Sequence, residues 1–280
     1  MCFTSQGAWH NFICFEDFKH LEEKETSLIL SFMKEENYKI LAFILARGGS
    51  TGVPNKNIKL INGKPLIGYT IETAKASRYI NRIIVGTDDS AISKASKDFG
   101  ADVPFARPEE MSQKLSRAYD VYRYFINKLK DEEGYRPDIF VCLFSTSYTK
   151  TVEDIDSAIE KLIQTKCDWV FTVTECEHHP YRCFVPMGDD RMANFCKDVK
   201  SYDIWGNRQE LPAVYRINGN AFVTWTRNIE NFTTYNVDMV EHSDTDVRYV
   251  LCPQERSMDI DTPLDFAIAE FLLSTHISTK

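Results

Sequence analysis

The chain has 280 residues, 43% hydrophobic and 26% charged, with a formal net charge of −8 at pH 7. This is the composition of a folded globular protein able to bury one large core, and its acidic balance argues against nucleic acid as the main partner. No apolar run approaches the ~20 residues of a membrane span, and no basic segment followed by an apolar core opens the chain, so no membrane partner and no secretion signal are expected. The eight cysteines form no C-x-x-C pair, which points to reduced thiols and a cytoplasmic protein.

Residues 1–38 hold apolar stretches without a clear period and read as an N-terminal extension before a domain of residues 39–280, with Met33 as a second candidate start. Ile40–Leu45 is apolar throughout and reads as a buried strand. It empties into Ala46-Arg-Gly-Gly-Ser-Thr-Gly-Val-Pro-Asn-Lys-Asn57, and Lys64–Ser77 then reads as a helix. Arg82–Thr87 is a short strand, Asp89 or Ser90 caps a helix to about Phe99, and Val103–Ala106 is a further short strand. Ser116–Lys130 places apolar residues at 118, 121, 122, 125, 126 and 129, the spacing of an amphipathic helix. Strand Ile139–Phe144 precedes Thr151-Val-Glu-Asp154, a capping box opening a helix to about Gln164, and Trp169–Val173 is the next strand. Residues 175–215 break the alternation with aromatics, prolines and charges and read as an insertion. Ala221–Trp225 resumes the sheet, and Thr262-Pro-Leu-Asp265 caps a last helix to about Leu273. The alternation predicts an α/β fold with a mainly parallel central sheet, whose ligands sit at the carboxyl ends of strands.

The glycine-rich loop lies at such an end. Glycine lets backbone N–H groups approach an anion, and Arg47 and Lys56 supply positive charge. The loop has neither the Gly-Lys-Ser/Thr ending of a P-loop nor G-x-G-x-x-G spacing; the bland alternative is a turn with incidental charge. Met258-Asp-Ile-Asp-Thr262 is the second informative segment. In an extended segment Asp259 and Asp261 point to one side, and two carboxylates suit Mg²⁺; alternatively they favour the following helix N-terminus. His178 and His179 lie between Cys176 and Cys183 without the spacing of a structural zinc site.

The loop resembles the signature Ala-Arg-Gly-Gly-Ser-Lys-Gly-x-Pro-x-Lys-Asn of the CMP-sialic acid synthetases (acylneuraminate cytidylyltransferases). Asp259-Ile-Asp261, Glu177-His-His-Pro180 with Arg182, Arg208-Gln-Glu-Leu-Pro212, Tyr215-Arg-Ile-Asn-Gly219 and Arg107-Pro-Glu-Glu110 extend the resemblance in order along the chain. The resemblance implies a Rossmann-like nucleotidyltransferase fold, dimerisation through an insertion at about 175–215, and transfer of CMP from CTP to a sialic-like 2-ulosonic acid. It implies that Arg47, Lys56 and Asp261 carry the chemistry. Ala46, Gly48, Gly49, Ser50 and Asn57 would contact the nucleotide with them, and Asp259 and Asp261 would hold Mg²⁺. Thr146 and Ser147 fall in the sugar-recognising segment, and Arg182 and Arg216 are candidates for the substrate carboxylate, Arg182 reaching a neighbouring subunit.

The sequence departs from the family pattern at Thr51, where a lysine is usual, and at Lys114, where many members carry an acid. Leu143-Phe-Ser-Thr-Ser-Tyr-Thr-Lys150 stands for Leu-Gln-Pro-Thr-Ser-Pro-Leu-Arg, so Phe144 replaces the sugar-recognising glutamine and Lys150 an arginine. Phenylalanine has no hydrogen bond to offer, which points to an acid other than plain N-acetylneuraminate, in the manner of legionaminate or pseudaminate. The alternatives are a non-catalytic nucleotide-binding relative and a sugar-transferring enzyme of related fold.

Overall fold

The computed structural model describes residues 38–49, 52–113, 116–197, 206–231 and 245–274. The chain divides into a unit of Met1–Tyr38 and one of Lys39–Lys280, and the description is of the second. Residues 1–37 of the expected N-terminal extension lie outside the described residues, as do Ser50, Thr51 and Lys114.

In chain order the elements are β1 (Ile40–Leu45), β2 (Leu60–Ile61), β3 (Lys64–Pro65), α1 (Leu66–Ala76), β4 (Arg82–Gly86), α2 (Ser90–Asp98), α3 (Ala118–Glu133) and β5 (Ile139–Phe144). There follow α4 (Val152–Thr165), β6 (Trp169–Glu175), β7 (Phe184–Gly188), β8 (Arg191–Asn194), β9 (Tyr215–Trp225), α5 (Thr226–Glu230), β10 (Val247–Leu251) and α6 (Pro263–Ser274). Six strands form one sheet in the order β10-β6-β9-β5-β1-β4. β1 pairs in parallel with β4 and β5, and β10 with β6; β9 runs antiparallel to both neighbours. The mixed α/β fold with a mainly parallel central sheet is the one the alternation predicts.

β1 and β5 are apolar at every position because both faces of the central sheet are covered. Leu41, Phe43 and Phe140 pack against Val121, Phe125 and Leu129 of α3 on one face. Alternate residues Ile40, Ala42 and Ile44 point to the other face, where α1 and α4 bury Ile71, Ile155 and Ile159. A second cluster joins Val53, Ile61, Leu66, Tyr148, Ile260 and Phe266, drawing the glycine loop, the segment after β5 and the start of α6 together. Full burial of each such side chain contributes roughly 1.5–3 kcal/mol.

The helix starts follow local chemistry. Asp89 accepts from the N–H groups of Ala91 and Ile92 at 2.8 and 2.9 Å, and Thr151 and Asp154 form a reciprocal capping box. Thr262 and Asp265 exchange the same pair of bonds ahead of α6. Two local expectations change. Val103–Ala106 forms no strand; its neighbour Asp102 makes one isolated parallel bridge to Ile84, too short a contact to extend the sheet. β9 starts at Tyr215 rather than Ala221, because its first residues pair with β6 beyond a register shift between Phe171 and Val173. Within the stretch expected as an insertion, β7 and β8 form a separate two-stranded hairpin.

Candidate active site

β1 lies between β4 and β5, and successive connections leave it in opposite directions along the sheet, so the crevice at its carboxyl end is a topological switch point. The loop leaving β1 is tied down there by its own backbone. The Ala46 N–H donates to the Gly86 carbonyl at 3.2 Å, and the Gly48 N–H to Asp88 Oδ1 at 3.0 Å. A Cβ on Gly48 would lie 2.8 Å from Asp89 Oδ2, and one on Gly52 only 2.1 Å from the Asp261 carbonyl oxygen. The loop and the Asp259–Asp261 segment are therefore in backbone contact, which admits glycine alone at position 52. Gly49 faces open space.

Asn57 is 5% exposed and works as a staple: its Nδ2 donates to the Arg47 carbonyl at 3.0 Å, and its Oδ1 accepts from the Ser145 hydroxyl at 2.5 Å. Lys56 Nζ donates to the Ile260 carbonyl and lies 3.2 Å from Asp261 Oδ1. Arg47 Nη1 donates to the Gln113 carbonyl at 3.3 Å. These groups border a cavity of about 440 Å³ at the ends of β1 and β5. Arg47, Lys56 and Arg107 supply its cations, Asp261 its carboxylate, and Phe144 with Leu45 its apolar corner. Three cations facing one carboxylate make the cavity attractive to a polyanion despite the acidic chain as a whole.

Of the residues expected from sequence, Arg47, Lys56, Asn57, Phe144, Thr146 and Asp261 line this cavity together. Ala46, Gly48 and Gly49 belong to the loop wall without lining it, and Ser50 lies outside the described residues. Ser147 is buried beneath the floor, donating to the Asn218 carbonyl at 3.3 Å, and Phe144 meets Phe222 edge-on at 5.3 Å. Asp259 is not in the cavity wall: its Oδ1 accepts the Ile260 N–H at 3.0 Å. Residues 257–261 form no strand, so the alternation that would aim both acids at one point does not apply. Among the described residues no group of three or more His, Cys, Asp or Glu side chains gathers for a metal.

Arg182 and Arg216 are likewise not brought to the cavity. Arg182 donates to the Gly206 carbonyl at 2.6 Å, and Arg216 grips Glu177 through a two-bond fork of 2.8 and 2.6 Å. That fork holds the Glu177 carboxyl down to about 2. His179 spends both ring nitrogens on backbone, facing the Pro212 carbonyl and the Tyr181 N–H.

Arg107 is the residue that sequence reasoning passed over. It is 5% exposed, its Nε donates to the Met111 carbonyl at 2.9 Å, and its own N–H binds the Thr87 carbonyl at 2.8 Å. Burial lowers its pKa, Asp88 opposes this, and the charge of Arg47 adds to the lowering. The signal was present in Arg107-Pro-Glu-Glu110, but the distance from the glycine loop concealed it. Lys150, beneath the cavity, is buried, and burial lowers its pKa while the charges of Asp259 and Asp154 oppose the lowering.

Residues 41–255 match the family described as "Cytidylyltransferase". The chain belongs to the cytidylyltransferase family. The CMP-N,N'-diacetyllegionaminic acid synthase of Legionella pneumophila is 30% identical to this cytidylyltransferase over 236 residues, 84% of this chain and 96% of that one. A pseudaminic acid cytidylyltransferase of Campylobacter jejuni is 31% identical over 234 residues, with 84% and 96% covered. The structure of a CMP:2-keto-3-deoxy-manno-octonic acid synthetase complexed with CTP superposes with a TM-score of 0.64 at 15% identity, covering 85% of this chain and all of that one. At that identity the likeness concerns the nucleotidyltransferase fold alone. Among the described residues of the cytidylyltransferase, no helix is long and apolar enough to cross a membrane.

Proposed function

We propose that this cytidylyltransferase is a CMP-sugar synthetase that transfers CMP from CTP to the anomeric hydroxyl of a sialic-like nine-carbon 2-ulosonic acid. The observation that carries the reading is the convergence of Arg47, Lys56 and Arg107 on one cavity beside the glycine loop. The anomeric oxygen attacks the α-phosphorus as the bond to the β-phosphate oxygen breaks, and pyrophosphate leaves. Such a transfer needs in-line positioning and charge neutralisation rather than a covalent protein intermediate. Arg47, Lys56 and Arg107 neutralise the triphosphate and the pyrophosphate that departs, and Asn57 holds the loop against the floor. Mg²⁺ would be held at Asp261, whose side chain is 76% exposed and lines the cavity, since this ion takes one or two carboxylates together with substrate phosphates. When bound, the ion would add positive charge to the phosphates; Asp259 would serve it only by turning from its present contact.

The relatives that act on legionaminic and pseudaminic acids support an acceptor of that class. Phe144 supports it as well, because an apolar corner leaves a substrate hydroxyl unpaired and suits a methyl or deoxy position. Arg216 would take the substrate carboxylate by exchanging it for Glu177. Pyrophosphate release from CTP, assayed across a panel of ulosonic acids with Mg²⁺, tests the reading. Release is expected with methyl-terminated acids ahead of N-acetylneuraminate, and no release with any acid refutes the synthetase function.

The assembly proposed is a homodimer. Phe184, Met187 and Met192 on the β7–β8 hairpin and Ile217 on β9 are exposed apolar side chains, a pattern suited to contact with a second copy. Sedimentation velocity is expected to give a dimer that Met192→Asp weakens; a monomer at all concentrations refutes it.

A further inference from the structure

Lysine is among the residues least often buried, because an ammonium taken from water must be fully rebonded. Lys150 is 4% exposed and, among the described residues, forms no ion pair. Its three N–H donors find three acceptors instead: Thr70 Oγ1 at 3.1 Å, the Phe144 carbonyl at 2.6 Å, and the Ser147 carbonyl. The count matches the donor capacity of an ammonium.

The three acceptors share a geometric meaning. Thr70 belongs to α1, part of the fixed scaffold, whereas the Phe144 and Ser147 carbonyls bracket Ser145 and Thr146, the loop residues that line the cavity. Ser145 reaches Asn57, which holds the Arg47 carbonyl. The Thr146 carbonyl accepts the Ile260 N–H at 3.2 Å, and Ile260 in turn accepts from Lys56. One short loop thus joins the glycine loop on one side to the Asp261 segment on the other, and Lys150 is the charge that clasps it from below.

We propose that Lys150 is a positioning residue for the nucleotide: its ammonium ties the Phe144 and Ser147 carbonyls to Thr70 and so sets Ser145 and Thr146 in register with Asn57 and Ile260. Lys150 does not itself line the cavity; it reaches the wall only through the Phe144 carbonyl. The inference rests on the reading of that cavity as the CTP site.

The test compares Lys150→Met, Lys150→Arg and Thr70→Val in the full chain, measuring CTP affinity by calorimetry, KM for each substrate, kcat and thermal unfolding. Lys150→Met keeps the length but takes the ammonium donor from the Ser147 carbonyl and leaves the Phe144 carbonyl only the Thr70 hydroxyl at 3.4 Å, and KM and Kd for CTP are expected to rise about tenfold or more while KM for the acid changes less. Lys150→Arg restores the donors and is expected to bring the CTP constants back to within about threefold of wild type. Thr70→Val removes, at constant volume, one acceptor of Lys150 together with the hydroxyl's own bond to the Phe144 carbonyl at 3.4 Å, and is expected to raise KM for CTP about two- to fivefold with little loss of melting temperature. It decides the matter should Lys150→Met fail to fold. Unchanged CTP constants in folded Lys150→Met, or in Thr70→Val, overturn the proposal and leave Lys150 a purely structural residue. Wild-type protein that neither binds nor consumes CTP overturns the reading of the cavity, and the positioning role falls with it.

Discussion

Arg47, Lys56 and Arg107 are each held by a backbone carbonyl, of Gln113, Ile260 and Met111, in a way that leaves all three on the wall of one cavity. Arg182 and Arg216, in and beside the β7–β8 stretch, are held just as firmly, by the Gly206 carbonyl and by Glu177, yet lie away from it. The contrast separates two kinds of preorganisation. Around the cavity the ordering of charged side chains is completed in folding, so an incoming triphosphate meets cations already in place. Beside the hairpin the guanidinium of Arg216 is already satisfied by a carboxylate of its own chain, which a substrate carboxylate would have to displace in order to bind there.

The contrast would break first at Asp261. Asp261→Ala is expected to lower kcat by roughly two to three orders of magnitude, as for loss of a charge-stabilising group at a reacting phosphate. Because its pair with Lys56 is exposed on the Asp261 side, unfolding free energy should change by no more than about 1 kcal/mol. Undiminished turnover in steady-state assays would remove Asp261 from the chemistry. Gly52→Ala is the next largest effect. A Cβ placed 2.1 Å from the Asp261 carbonyl oxygen must push the loop and the Asp segment apart, at a cost of about 1–3 kcal/mol, with CTP affinity falling alongside. A Gly49→Ala control, where the space is open, should change neither; equal effects of the two substitutions would show that the close contact does not matter.

The smallest effect sharpens the other side of the comparison. Glu177 is held down to about 2 by Arg216, from an ordinary 4.5. The stability this contributes is present above the ordinary carboxylate range and is lost as pH falls through about 2. On so exposed a pair it amounts to no more than about 1 kcal/mol. A carboxyl-resolved NMR titration should show the low midpoint, and Arg216→Gln should return it towards ~4.3. An ordinary midpoint in the wild type would mean that Arg216 is already free for substrate, erasing the difference between the two regions.

Much of this was legible in the chain. The uninterrupted apolar run Ile40–Leu45, the glycine loop after it and the caps at Asp89, Thr151 and Thr262 are local patterns, and each folds as its spacing requires. The paired acids Asp259 and Asp261 were legible only as a pair; that one of them reaches the cavity and the other does not follows from the turn taken at Ile260, whose side chain is buried against Val53 and Phe266. Arg107 was read only as a step along a family pattern and Lys150 only as a departure from it, because nothing in their neighbours announces a buried charge.

By itself, then, the sequence determined the α/β alternation and the phosphate-suited loop, since periodicity, capping and glycine spacing act within a few residues, while the family was legible only through its resemblance to known relatives. Only the tertiary structure decided the order β10-β6-β9-β5-β1-β4, the antiparallel course of β9, and the meeting of Lys56 with Asp261 across a separation of 205 residues. It also decided that Lys150 would lie under the cavity, clasping carbonyls. The physical reason is that burying a charge is tolerable only where distant segments bring acceptors to it, and no local pattern specifies which segments those are.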